Sequence, residues 1–217
     1  MMANILIGCE CSGALRRRFR EAGHNAWSCD LKPAEDGDCN YHIMFDVFHV
    51  LTHPWFWCEG EKQWDLFICH PDCTALTVAG NHVYAAGKPK HHERLKAIQE
   101  TGSLWGLSCQ YAKKVCFENP QGVLSTQSIM GKASQYIQPN RFGDDASKKT
   151  GLWLKDLPKL KGTKTIPGRM VNGVERWANQ TDSGQNKLGP SPQRATERAR
   201  TYPGIADAMV DQWGQLL

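Results

Sequence analysis

The sequence predicts an α/β fold built on a mostly parallel sheet. Short apolar runs alternate with amphipathic stretches over short links, and the residues of chemical interest fall directly after those runs. Size and composition agree. A chain of 217 residues, 41% hydrophobic and 22% charged, suits one core with a small elaboration.

Residues 4–8 (NILIG) form a short apolar run closed by glycine, the pattern of a buried strand. Residues 12–22 place Leu15 and Phe19 four apart among arginines, which predicts an amphipathic helix with Ser12 as N-cap and Gly23 as its stop. Residues 24–29 read as a second strand ending at Asp30, and Phe45-Asp46-Val47 closes a third. The run DLFICH, residues 65–70, has the clearest character of a buried strand. A long helix over 91–111, strands over 115–118 and 151–154, and a helix over 205–216 complete the set. Residues 161–192 are rich in Gly, Lys, Asn, Gln and Ser without periodicity, and read as an irregular insertion or long loop. The expected organisation is a core over 1–160, a basic insertion over 161–190, and a C-terminal segment and helix over 191–217 that pack back on the core.

Charge is unevenly placed. Residues 141–200 hold 13 of the 26 Lys+Arg and 6 of the 22 Asp+Glu, so this segment carries +7 and the remainder −3. A basic side of this kind suits a polyanion; a solvated basic surface is the plain alternative. No apolar run approaches the roughly 18 residues of a membrane-spanning helix. The opening MMANILIGCECSG has no basic residue before its apolar stretch, so a cytoplasmic protein is expected, as a monomer. Nine cysteines, several inside apolar runs, fit reduced thiols better than a disulfide framework.

Parallel sheets bind ligands at the carboxyl ends of their strands, and five segments converge there. GCECSG, residues 8–13, joins a strand to a helix N-terminus, where backbone N–H groups can approach a nucleotide-like ligand. Asp30 ends the second strand, as acids that bind ribose hydroxyls do, and Asp46 follows the third. Singly, each acid serves equally as a cap or turn residue; in this order they favour an adenosine-containing cofactor. Cys73 follows the clearest strand and opens a loop over 74–90 containing Gly80, Gly87 and Pro89; an inert buried thiol is the plain alternative, but this is the placement of a nucleophile and sets Cys73 above the other cysteines. Glu118-Asn119-Pro120 supplies a strand-end carboxylate. Cys9, Cys11, Cys29, Cys39, Cys69, His70 and Cys73 are concentrated early, but no paired Cys-x-x-Cys spacing appears, and no metal is expected.

The order of these motifs resembles that of the S-adenosylmethionine-dependent DNA cytosine-C5 methyltransferases, and within them a compact phage- and prophage-borne branch. The resemblance rests on HPDC at 70–73, ENP at 118–120, QPNRFGDDASKKTGLWLKDLPKL at 138–160 and SPQRATERARTYPGIADAMVDQW at 191–213. It implies a Rossmann-like class I methyltransferase fold, S-adenosylmethionine as cofactor and DNA as partner, in the host cytoplasm if phage-encoded. It further implies that Cys73 attacks C6 of cytosine, that Glu118 binds the ring nitrogen and exocyclic amine, and that Lys149, with Lys148 in reserve, steadies the ring carbonyl. Cys9, Glu10, Cys11, Gly13, Asp30, Leu31, Asp46, Val47 and Pro71 would line the cofactor pocket, and Thr201, Pro203 and Ile205 would close it. Expected phosphate contacts are Lys88, Lys90, Lys148, Lys155, Lys159, Lys161, Lys164, Arg169, Arg194 and Arg198. Two features depart from the pattern. Asp72 stands where proline precedes the cysteine, and a carboxylate there disfavours the thiolate. The insertion is also short for target recognition. A relative that binds nucleic acid or cofactor without methylating is the alternative reading.

Overall fold

The computed structural model describes residues 2–189, 191 and 194–217. In chain order the elements are β1 (Asn4–Gly8), α1 (Ala14–Glu21), β2 (Asn25–Asp30), β3 (His42–Met44), α2 (Val47–Thr52), β4 (Trp64–Cys69), α3 (Asn81–Tyr84), α4 (His91–Tyr111), β5 (Ala112–Pro120), α5 (Leu124–Gln127), β6 (Gln135–Ile137), β7 (Thr150–Lys155), β8 (Arg169–Val171), β9 (Val174–Arg176), α6 (Arg194–Ala199) and α7 (Pro203–Trp213). Seven strands form one sheet in the order β3-β2-β1-β4-β5-β7-β6. The first five are parallel; β7 runs antiparallel to β5, and β6 antiparallel to β7. This is the α/β, mostly parallel architecture expected.

Both faces of the sheet are covered, so its central strands read as continuous apolar runs. In β1, Leu6 joins one core cluster with Phe67, Phe117, Trp64 and Trp153. Its neighbours Ile5 and Ile7 join the other, with Leu15, Phe19, Leu66, Ile68, Met209 and Trp213. The alternation is the two-residue period of a strand, and it places α4 on one face and α1 with α7 on the other.

Several boundaries differ from expectation. Phe45-Asp46-Val47 is not a strand: β3 ends at Met44, and the Asp46 carboxylate accepts the Phe48 N–H at 2.8 Å, capping α2. The N-cap of α1 is Gly13, at φ 69°, rather than Ser12. The chain turns there through a left-handed conformation that glycine adopts without steric cost. β5 extends from Ala112 to Pro120, longer than expected, because it is paired on both sides. The segment over 161–192 is not wholly irregular. It contains the β8–β9 hairpin, turning at Asn172 and Gly173, both at positive φ. Residues 190 and 192 of that stretch, and 193 beyond it, lie outside the described residues.

Candidate active site

The register of β4 and β5 builds the centre. Cys69 pairs with Phe117, so the next residues, His70 and Glu118, emerge side by side at the carboxyl edge of the sheet. His70 Nδ1 and Glu118 Oε2 lie 2.7 Å apart, and both side chains are nearly buried. Asn119 then donates from Nδ2 to the Pro71 carbonyl at 2.9 Å, tying the cysteine loop to the end of β5. Farther on, Gly122 meets the Leu76 carbonyl so closely that any side chain at 122 would overlap it, and the Val123 N–H donates to that carbonyl at 2.9 Å.

From the other side Arg94 of α4, 3% exposed, donates to the carbonyls of Ala75 (2.7 Å) and Thr77 (3.2 Å) and to Asn81 Oδ1 (2.9 Å). The stretch after Cys73 is therefore clamped, not an open loop. A 3-10 turn over Val78–Gly80 and α3 fill its middle. Asp72 is exposed, and one carboxylate oxygen accepts from the Thr74 N–H (2.9 Å) and hydroxyl (2.7 Å).

Cys73 is partly exposed at this edge. Burial pushes its thiol up; Lys148 pulls it back, Asp72 and Glu118 push it up again, and Arg198 opposes them, with a raised pKa as the outcome. Burial would also raise the Glu118 carboxyl. Lys148, followed by the hydrogen bond and charge of His70 and the Thr150 hydroxyl, outweighs it and holds Glu118 below the usual carboxylate range. Lys148 thus acts on both groups. Its charge is brought near them, without an ion pair to Glu118, because β7 returns antiparallel with Thr150 opposite Pro120. Lys149, expected in this place, instead holds its ammonium 4.9 Å above the Tyr136 ring.

The GCECSG turn flanks this centre. Cys9 takes a left-handed φ of 56° at the end of β1, and the Glu10 N–H donates to the Cys29 carbonyl at 3.1 Å. Glu10 Oε1 receives the Ser12 hydroxyl and the Ala14 N–H, while its Oε2 is buried without a partner. The Cys11 thiol is pushed up to about 11, chiefly by burial and then by Asp30 and Glu35. Asp30 accepts the Lys32 N–H at 3.0 Å, and Leu31 is 76% exposed. Asp46 is exposed, and Val47 is buried with a methyl against Gly8. Ser12, Ala14, Arg17, Glu35, Asp36, Arg200 and Thr201 line a cavity of about 280 Å³. Pro203 opens α7. Ile205, expected on the pocket wall, is 4% exposed in the core, where it packs α7 instead of facing a ligand.

The basic residues divide. Lys88, Lys159, Lys161, Lys164 and Arg198 are exposed, and Arg194 is partly buried in α6. Lys90 pairs with Glu93 at 3.2 Å. Two expected phosphate contacts are already occupied: Lys155 donates to the carbonyls of Ala112 and Lys113, and Arg169 binds Asp182 and the carbonyls of Trp177 and Gln180. Sequence reasoning missed His70 and Arg94 as parts of the site. The adjacency of HPDC and ENP in parallel strands was the available signal for His70.

No family model matches the chain, and no curated protein matches it in sequence. Among solved structures, the crystal structure of S. pombe Dnmt2 methyltransferase superposes with a TM-score of 0.46 at 14% identity, over 71% of this chain and 49% of that one. The chain thus spans about half the length of that neighbour. No helix among the described residues is long and apolar enough to cross a membrane.

Proposed function

We propose that this chain is an S-adenosylmethionine-dependent methyltransferase acting on C5 of cytosine in DNA, with Cys73 as the attacking thiolate. The observation that carries the reading is that Cys73, Glu118 and Lys148 share the sheet edge that also holds the GCECSG turn, close enough for Lys148 to act on the charge of both. Cytosine C5 is a poor nucleophile until a thiolate adds at C6. Cys73 Sγ bonds to C6 while the C5=C6 pair moves onto C5. Glu118 accepts from the exocyclic amine; as the electron pair moves onto C5, N3 takes a proton from solvent water, and Glu118 accepts from N3–H as well. Lys148 donates to the ring carbonyl and favours the thiolate. C5 takes the methyl group, its proton passes to a base, and the returning electron pair expels the thiolate. Reaching such a pocket requires the base to leave the stack.

The residues present fit the cofactor. The buried, unpartnered Glu10 Oε2 suits an ammonium donor, and the Asp30 carboxylate at the end of β2 suits ribose hydroxyls. When bound, S-adenosylmethionine supplies an electrophilic methyl sulfonium.

The raised pKa of Cys73, with Asp72 as one cause, favours a second reading: a relative that binds cofactor and nucleic acid but methylates slowly or not at all. Expression in a host lacking cytosine methylation, followed by 5-methylcytosine-sensitive sequencing, separates the two. Wild type is expected to leave 5-methylcytosine and Cys73→Ser none. Calorimetric binding of S-adenosylmethionine without any modified cytosine would transfer the conclusion to the second reading.

A further inference from the structure

The mechanism above gives His70 no step, yet the fold holds its side chain firmly against Glu118. The His70 N–H donates to the Gly8 carbonyl at 3.0 Å. Pro71 follows, its ring restricting the backbone, and its carbonyl is tied to Asn119. Glu118 is anchored in turn, opposite Leu152 where β5 pairs with β7. The 2.7 Å contact between His70 Nδ1 and Glu118 Oε2 thus joins two side chains whose backbones are fixed at the ends of adjacent strands, and they are only 10% and 7% exposed.

The direction of this hydrogen bond follows from its partners. Glu118 is held ionised, and an ionised carboxylate has no hydrogen to give, so Nδ1 carries the proton and donates. The other tautomer fails twice. His70 Nε2 is buried and has no partner among the described residues. A proton on Nε2 alone would be a buried donor without an acceptor, and would leave Oε2 facing a bare nitrogen. The terminal torsion of a glutamate side chain is broad, so the side chain itself does not set the plane of its carboxylate. A fixed donor at Oε2 does set it, and leaves the other lone pairs for the exocyclic amine and N3–H of cytosine.

We propose that His70 is a positioning residue, whose Nδ1–H fixes the plane of the Glu118 carboxylate and keeps it an acceptor towards the pyrimidine edge. The pyrimidine rests on the methyltransferase reading, which this deepens; the hydrogen bond does not. Lys148 and the Thr150 hydroxyl also act on Glu118, and the thiols of Cys73 and Cys116 feel its charge. Without His70, Lys148 and Thr150 alone oppose burial, so the carboxyl takes up a proton at higher pH.

Long-range proton–nitrogen correlation spectra of the histidine-labelled protein read the ring directly, with His70 assigned by the signal lost in His70→Asn. A proton on Nδ1 at neutral pH is expected, with a signal that shifts in Glu118→Gln. A bare Nδ1, or a signal blind to Glu118→Gln, overturns the proposal whether or not the chain methylates DNA. Kinetics with the purified protein and DNA from the unmethylated host supply the second reading. His70→Leu should lose about a hundredfold in kcat with KM little changed, and the acid limb of kcat/KM should rise by about one pH unit. Asparagine carries an amide N–H near the position of Nδ1, so His70→Asn should recover most of the loss and return the acid limb towards wild type. An acid limb unmoved in the leucine variant, or an asparagine variant no better than leucine, also overturns the proposal. The expected ring signals without any modified cytosine would overturn the catalytic reading alone.

Discussion

Lys148 is the side chain on which the chemistry of Cys73 and Glu118 jointly depends, since it lowers the pKa of both against the cost of burial. Lys148→Met should therefore raise the thiol further. Alkylation of Cys73 by iodoacetamide near neutral pH is expected to slow by roughly an order of magnitude, the gap narrowing as alkaline pH forms the thiolate in both proteins. Mass spectrometry of the Cys73 peptide reads this directly, and parallel curves at every pH would refute it. Asp72 acts in the opposite sense while capping the turn at Thr74. Asp72→Asn keeps an acceptor and removes the charge, so Cys73 should alkylate faster at neutral pH. Asp72→Pro also removes the charge but loses both Thr74 contacts, at a cost of about 1 kcal/mol. A melting curve distinguishes the two. Cys73 and Glu118 were legible in the sequence because each follows an apolar run. The choice between Lys148 and Lys149 was not. Adjacent residues project to opposite sides, and which of them faces the site is set by the pairing of β7 with β5, which the local sequence does not record.

The cysteine segment owes its shape to elements far away in sequence. Arg94 reaches it from α4, and Asn119 and Gly122 from the end of β5 and beyond. Arg94→Met would leave the Ala75 carbonyl without its donor and the Thr77 carbonyl with only the Gly80 N–H, costing about 1–3 kcal/mol. Faster hydrogen exchange is expected at the amides of 74–81, with much of the protection restored in Arg94→Lys; unchanged exchange in the methionine variant would show that the clamp is redundant. The long elements were legible, α4 with both of its ends, because an uninterrupted stretch of 21 residues without proline leaves little alternative to a helix. β6, β8 and β9 are three residues each, too short to show a period. The Asn172-Gly173 pair was nevertheless a readable hairpin signal, masked by the polar composition around it.

Across the whole molecule, the mostly parallel sheet followed from alternating strands and helices, whereas the antiparallel pair β7–β6 did not, because a strand's residues do not announce its direction. Stability should also carry an acid signature. Glu118 and Asp36 are held below their ordinary carboxylate values despite burial, Asp36 chiefly through its hydrogen bond to Arg16. A carboxyl with a depressed folded pKa contributes stability that is complete above its unfolded value and is lost as pH falls through its folded one. The melting temperature should thus hold above pH 4.5, the ordinary value for Glu118, and fall below it. Glu118→Gln should show a shallower fall, and an identical acid limb in both proteins would remove Glu118 from the account. The position of α7 bears on how the protein is made. Ile205, Met209 and Trp213 close the face formed by Ile5 and Ile7 of β1 and by Leu15 and Phe19 of α1. In chain order β1 is made well before α7, so that face is dry only after α7 has followed. Until residues 203–213 emerge, the part of this face that α1 does not cover stays exposed as apolar surface, and a chain held at that stage is open to association with other apolar surfaces.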